Sequence, residues 1–173
     1  MAVALLLLAA LLPHPRPIGV GPLYHPAPGA RAVPGLACST REQPRFGAHI
    51  ELFARRLVVI VPAGIGVVPP RVRRGAYVLH GRCSYPLRTR GPTGVIELVR
   101  GSTLTLGDLF AVWGQPLSGS RLAGFSGTVS AFVGGRRWRG DPRAIPLTPH
   151  TQIVLETGGY VPPHPRYLFP KGL

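Results

Sequence analysis

The chain has 173 residues, of which 45% are hydrophobic and only 15% charged, and Gly 23 with Pro 21 make up about a quarter of it. This length holds one domain, or one domain with tails, and excludes a two-domain enzyme of ordinary size; the scarcity of charge excludes coiled coils and long solvated helices. Lys+Arg 20 against Asp+Glu 6 gives a formal net charge of +14, a surplus that attracts polyanions such as nucleic acid, anionic lipid headgroups or acidic wall polymer.

The composition offers a plainer account of that surplus. Lys171 is the only lysine, asparagine is absent, and Ala, Gly, Pro, Arg and Val dominate, as in chains from GC-rich genomes. The arginines fall in scattered pairs (Arg55-Arg56, Arg73-Arg74, Arg136-Arg137), not on the single basic face of a dedicated nucleic-acid binder. No RNA-binding aromatic signature, helix-turn-helix pattern or zinc-finger spacing accompanies them. The sequence identifies no partner; anionic envelope components rank ahead of nucleic acid.

Residues 1–37 read as a signal-like apolar segment followed by a Pro-rich linker. Met1 to Leu12 is an uninterrupted apolar run ended by Pro13, the length of a secretory h-region and too short to span a bilayer, although no Lys or Arg precedes it. Pro13-His-Pro-Arg-Pro17 and Tyr24-His-Pro-Ala-Pro28 continue as extended linker. A secreted or cell-envelope location is the expectation, with no transmembrane helix in the mature chain. Gly35-Leu36-Ala37-Cys38 is not taken as a lipoprotein acylation site, because glycine stands where an aliphatic residue is wanted. Export makes Cys38 and Cys83 a disulfide candidate, worth roughly 3–4 kcal/mol in the chain-entropy picture. In a reducing compartment they would be two unrelated buried thiols.

Residues 38–160 carry the periodic patterns. His49-Ile-Glu-Leu-Phe53, a turn at Ala54-Arg55-Arg56, and Leu57-Val-Val-Ile-Val61 predict a hairpin. Gly75–His80 and Tyr85–Thr89 predict short edge strands, with Pro86 keeping the second away from a central position. Gly94–Arg100 is a further strand, then Thr128–Val133 and Arg136–Trp138 pair across Gly134-Gly135, a turn suited to positive φ. Thr151–Glu156 closes the set. One helix stands out at Thr105–Gly114: Thr105 with Asp108 is a capping box, Leu106, Leu109, Phe110 and Trp113 share a face, and Gly114 terminates it. The fold class is α+β, a small mainly antiparallel β domain with one short packed helix. Residues 161–173 form a Pro-rich extended C-terminal arm, expected to lay Tyr160, Tyr167 and Phe169 onto the domain.

His49-Ile-Glu-Leu-Phe with Val61-Pro-Ala-Gly-Ile-Gly66, Cys83 to Glu97, Thr105-Leu-Gly-Asp-Leu-Phe-Ala-Val-Trp-Gly-Gln-Pro-Leu117 and Gly140-Asp-Pro-Arg-Ala-Ile-Pro-Leu147 together resemble a family of small exported or membrane-anchored bacterial proteins with no assigned activity. The likeness covers roughly residues 38–173, and the helix motif is its most specific part. Relatives read His-Thr-His-Asp-x-Thr-Gly-x-Ile-His where this chain has Arg88-Thr-Arg-Gly-Pro-Thr-Gly-Val-Ile-Glu97, and carry a histidine at the position of His49. Four such histidines would suit a transition metal. Here Arg88, Arg90 and Glu97 replace three of them, and arginine stays protonated, so the resemblance implies the fold and the compartment but not the metal. His49 and Glu97 are then a remnant site. Arg88 and Arg90 are a candidate anion pocket or, in the favoured reading, form a surface pair with Glu97 worth under ~1 kcal/mol.

Catalysis requires positioned acid–base groups, and the six acidic residues offer no close pair in sequence. Nucleophile-elbow, phosphate-loop and His-Glu-x-x-His motifs are all missing, and His80-Gly-Arg-Cys83 lacks a second ligand pair. The expectation is a non-catalytic exported or envelope-associated domain of structural or binding role, with no catalytic residue, no metal ligand and no cofactor. The alternatives are a polyanion-binding protein and a degenerate member of a metal-binding family.

Overall fold

The structure, a computed structural model, describes residues 32–173. The signal-like run and nearly all of the Pro-rich linker lie outside the described residues.

The longest strand, β1 (Arg45–Ala54), organises the domain. Its even-numbered side chains Phe46, Ala48, Ile50, Leu52 and Ala54 enter the main core, while the alternate set faces the other side, as the two-residue period of a strand requires. One edge of β1 is shared between two partners. Its first half pairs with β6 (Val95–Val99) and its last three residues with β2 (Leu57–Val59). The β1–β2 turn places Arg55 and Arg56 at φ 52° and 67°, the left-handed pair that a tight hairpin needs.

Beyond β1 lie β12 (Gln152–Thr157), β10 (Val129–Val133) and β11 (Arg136–Trp138); on the other side β5 (Leu87–Arg88) closes the sheet next to β6. Pro86 precedes this edge strand, as expected. The fold class holds in its coarse form, strands with one short helix, but the antiparallel expectation needs correction. β12 runs parallel to β1, with His49 opposite Gln152 and Ala54 opposite Thr157, so the sheet is mixed. Parallel neighbours require a long crossover, here the whole chain between the two strands.

Gly75–His80 departs from its expected place. β4 (Tyr77–His80) pairs with β3 (Val72–Arg74) in a separate ribbon, not with the main sheet. Val78, fully buried against Ala63 and Val67, ties this ribbon down. A second small sheet, β7 (Leu117–Ser118), β8 (Arg121–Leu122) and β9 (Phe125–Ser126), was not foreseen.

Helix α1 (Leu106–Trp113) forms where its caps predict. The Thr105 hydroxyl accepts from the Asp108 amide while the Asp108 carboxylate accepts from the Thr105 amide, and Gly114 ends the helix at φ 74°. Leu106, Leu109, Phe110, Val112 and Trp113 are buried against the first sheet face. The strand-like segment after a 3-10 turn (Pro142–Ala144) clamps the helix start, with the Leu106 amide donating to the Ile145 carbonyl at 2.8 Å.

Cys38 and Cys83 are joined in a disulfide. Beside it the amides and carbonyls of Ser39 and Ser84 bond reciprocally at 2.9 and 2.8 Å, fixing the start of the domain to its middle.

The second sheet face is covered differently. Phe53, Phe132, Val154 and Val161 form a small apolar cluster there, and the arm crosses the remainder. The Glu156 carboxylate accepts from the Val161 amide at 2.6 Å, and His164 pairs with Glu51 at 2.8 Å. Tyr167 stacks on His49, and Phe169 lies beside His150. A Cβ at Gly47 would sit 2.7 Å from the Phe169 ring, so glycine at this point lets the arm touch the sheet. Tyr160 corrects the expectation for the arm. It is 61% exposed, although its ring edge meets Phe132.

Candidate functional site

Arg88 on β5 stands directly opposite Glu97 on β6. Arg88 Nε donates to Glu97 Oε2 at 2.8 Å, and Arg88 Nη1 donates to Glu42 Oε1 at 2.7 Å and to Ser84 Oγ at 3.3 Å. Arg90, two residues on, places Nη2 3.6 Å from Glu42 Oε1 and Nε 3.9 Å from Glu97 Oε1. Both distances are those of ion pairs and lie beyond hydrogen-bond reach. Arg45, at the start of β1, donates to the carbonyls of Tyr85, Pro86 and Glu97.

The favoured sequence expectation, an exposed surface pair, is corrected by this geometry. The Arg88 and Glu97 side chains are only 6% and 11% exposed. An ion pair so removed from water is not governed by the small energies of surface pairs: removing one partner strands a buried charge, at a cost of about 3–5 kcal/mol.

The electrostatics are mutually reinforcing. Burial works against the Arg88 charge, yet the Glu42 hydrogen bond and the Glu97 carboxylate outweigh it and hold the pKa above that of an ordinary arginine. The hydrogen bond from Arg88 in turn holds Glu42 below the usual carboxylate range. Arg45 bears the strain: burial first, then the nearby Arg88 charge, pushes it down to about 10. Two guanidinium N–H groups of this cluster, Arg45 Nε and Arg90 Nε, are buried with no acceptor among the described residues.

His49 shares this sheet face but does not join the cluster. It pairs in register with Val95, and its ring is consumed elsewhere. Nε2 lies 2.8 Å from the Thr93 carbonyl, which only accepts, so Nε2 carries a hydrogen; Nδ1 meets the Gln152 carboxamide at 2.7 Å. Tyr167 covers the ring plane at a centroid distance of 3.7 Å. These residues do not fit a transition-metal ion. Both imidazole nitrogens are engaged, the two arginines remain cations, and Glu97 is held by Arg88. Among the described residues no group of three or more His, Cys, Asp or Glu is placed to hold a metal.

The structure therefore brings together Arg88, Arg90 and Glu97, leaves His49 apart, and adds Glu42 and Arg45, which the sequence reading missed. A signal for Glu42 existed. It follows Cys38 by four positions, and a bond from Cys38 to Cys83 necessarily brings it near residues 84–88. Beside His49, a cavity of about 390 Å³ opens between β1, β2 and the arm. Phe53, Val59, Val61 and Val161 give it apolar walls, and the Glu51–His164 pair stands at one side. Comparison with known proteins gives no assignment: no family model, no curated protein and no solved structure matches this chain.

Proposed function

We propose that the protein is an exported, cell-envelope-associated domain with a structural or binding role and no catalysis. The observation that carries the compartment is the Cys38–Cys83 disulfide. Such bonds persist in oxidising surroundings and are rare where glutathione and thioredoxin keep thiols reduced. The signal-like run at residues 1–12 and the family resemblance support the same compartment. The non-catalytic part rests on how the remnant site is used. Both ring nitrogens of His49 are hydrogen-bonded and Glu97 accepts from Arg88 through Oε2, which supports a structural use of these groups over general acid–base work. Cell fractionation with thiol labelling tests the reading. Envelope or medium recovery with both cysteines blocked is expected; a cytosolic protein with two labelled thiols overturns it.

A second reading, binding to an extended polyanion, is favoured by the β3–β4 ribbon. Arg73, Arg74 and Arg82 are exposed on or beside it, next to the half-exposed Val72, Tyr77 and Leu79. Counterion release makes such binding fall steeply with salt, so weak, flat binding to DNA and anionic vesicles at ~150 mM salt would remove this reading.

A further inference from the structure

The Arg88 cluster contains three guanidinium groups, Arg45, Arg88 and Arg90, and two carboxylates, Glu42 and Glu97. One positive charge is left over. The two acids are held very differently. Glu97 is fixed on a strand and nearly buried, whereas the Glu42 side chain is 61% exposed. Glu42 belongs to a stretch, residues 40–44, that is exposed throughout and contributes to no strand. It enters the cluster through its carboxylate, 2.7 Å from Arg88 Nη1 and 3.6 Å from Arg90 Nη2.

We propose that Glu42 occupies the seat of a phosphoryl oxyanion, and that a phosphate or phosphomonoester dianion binds there between Arg88 and Arg90 when Glu42 swings out to solvent. Charge is the first argument. The carboxylate leaves the three guanidiniums undercompensated, while a dianion in its place, together with Glu97, balances them. Donor geometry is the second. Arg88 Nη1 and Arg90 Nη2 converge on the same Glu42 oxygen, and Ser84 Oγ lies 3.3 Å from Arg88 Nη1. A tetrahedral oxyanion offers more acceptors than a carboxylate, and guanidinium groups match it well. Arg90 Nε, on the same guanidinium as Nη2, is buried without an acceptor and lies 3.9 Å from Glu97 Oε1. The third argument is rigidity. Arg88 is held by Glu97, and Arg90 Nη2 donates to the Leu79 carbonyl at 2.9 Å, so the cationic wall stays in place when Glu42 leaves. The site does not depend on the export reading, and its failure would leave that reading untouched.

The test titrates the oxidised full chain with inorganic phosphate against chloride at equal ionic strength, followed by calorimetry and thermal melting. Glu42→Gln removes the competing charge and should tighten phosphate binding by about 10-fold or more. Adding Arg90→Gln should abolish that gain, whereas adding Arg136→Gln, on a distant strand, should leave it intact. Unliganded melting curves establish that each variant is folded. Equal phosphate affinity in the parent and Glu42→Gln, or a gain that survives Arg90→Gln, overturns the proposal. Vesicles containing phosphatidic acid separate the sources of the phosphoryl group. If Glu42→Gln tightens binding to them as it does for free phosphate, the site accepts lipid headgroups. If it tightens free phosphate alone, the site takes a small dissolved ligand.

Discussion

The imidazole of His49 lies flat against the phenol ring of Tyr167, with centroids 3.7 Å apart and planes 9° from parallel. The contact joins a central strand to the C-terminal arm. It explains how a sheet face carrying His49, Glu51 and Glu156 is kept from open water by an extended segment without secondary structure. Along the arm, the Val161 amide, the His164 ring and Phe169 repeat the same kind of attachment.

Tyr167→Ala should therefore destabilise the domain by about 1–2 kcal/mol, the worth of an aromatic pair plus its buried area. Tyr167→Phe should be close to neutral. Denaturant unfolding measures both, and an alanine variant as stable as the parent would show that the arm is not held by this stack.

The disulfide spans a sequence separation of 45. Loop closure of that size constrains the unfolded chain by about 3–4 kcal/mol. The Cys38→Ser/Cys83→Ser double variant should lose that amount. It should also loosen Glu42, whose approach to Arg88 depends on the same anchor. Unfolding with and without reductant gives the number, and a parent insensitive to reductant would contradict it.

Arg88→Met should cost about 3–5 kcal/mol, because Glu97 is left buried without its partner. Adding Glu97→Leu should return much of the loss, since an apolar pair of similar volume carries no desolvation penalty. High salt should change the parent little, as buried pairs are poorly screened. A single-variant cost under ~1 kcal/mol would restore the surface-pair reading.

Trp113 is fully buried on α1, its ring tilted against Phe110 at 5.3 Å. Trp113→Ala should cost about 3–5 kcal/mol, and in a Trp138→Phe background the parent should emit at the short wavelengths of a buried indole. Unchanged melting with a solvent-exposed emission would move Trp113 from the core to a binding face.

The helix and the β10–β11 hairpin were legible because their instructions are local. Thr105, Asp108 and Gly114 specify both ends of α1, and Gly134-Gly135, at φ 56° and 77°, specifies the turn. The direction of β12 was not legible. Alternation along Gln152–Thr157 is the same whether its neighbour runs parallel or antiparallel. The two-residue strands of the β7–β9 sheet carry too few side chains for any periodicity to register. For Arg88, residue type argued for exposure, whereas the side chain is buried and one of its two carboxylate partners, Glu42, arrives from 46 positions away. The site was therefore partly readable: Arg88, Arg90 and Glu97 followed from adjacent sequence, Glu42 followed only from the disulfide, and Arg45 from the pairing of β1 with β6.

Acid dependence separates two glutamates. Burial raises the pKa of Glu156, against the opposing pull of the Val161 amide and the Arg137 charge. A group whose folded pKa exceeds its unfolded value contributes stability below the unfolded value and loses it as pH rises through the folded one. Glu156 is thus a liability at neutral pH. Glu42 has the opposite sign: its folded pKa is lowered by Arg88, so its contribution is present above the ordinary carboxylate range and fades as pH falls through the folded value. Glu156→Gln imitates the protonated acid and keeps an oxygen to accept from the Val161 amide. It should raise the melting temperature at neutral pH, and the gain should vanish below about pH 4, where the parent carboxyl is itself neutral. Because Glu42 is common to both proteins, its own acid loss cancels in the difference. A Glu156→Gln variant less stable than the parent at neutral pH would show that the Glu156 charge is used in place, with Arg137 on β11 as the partner to examine next.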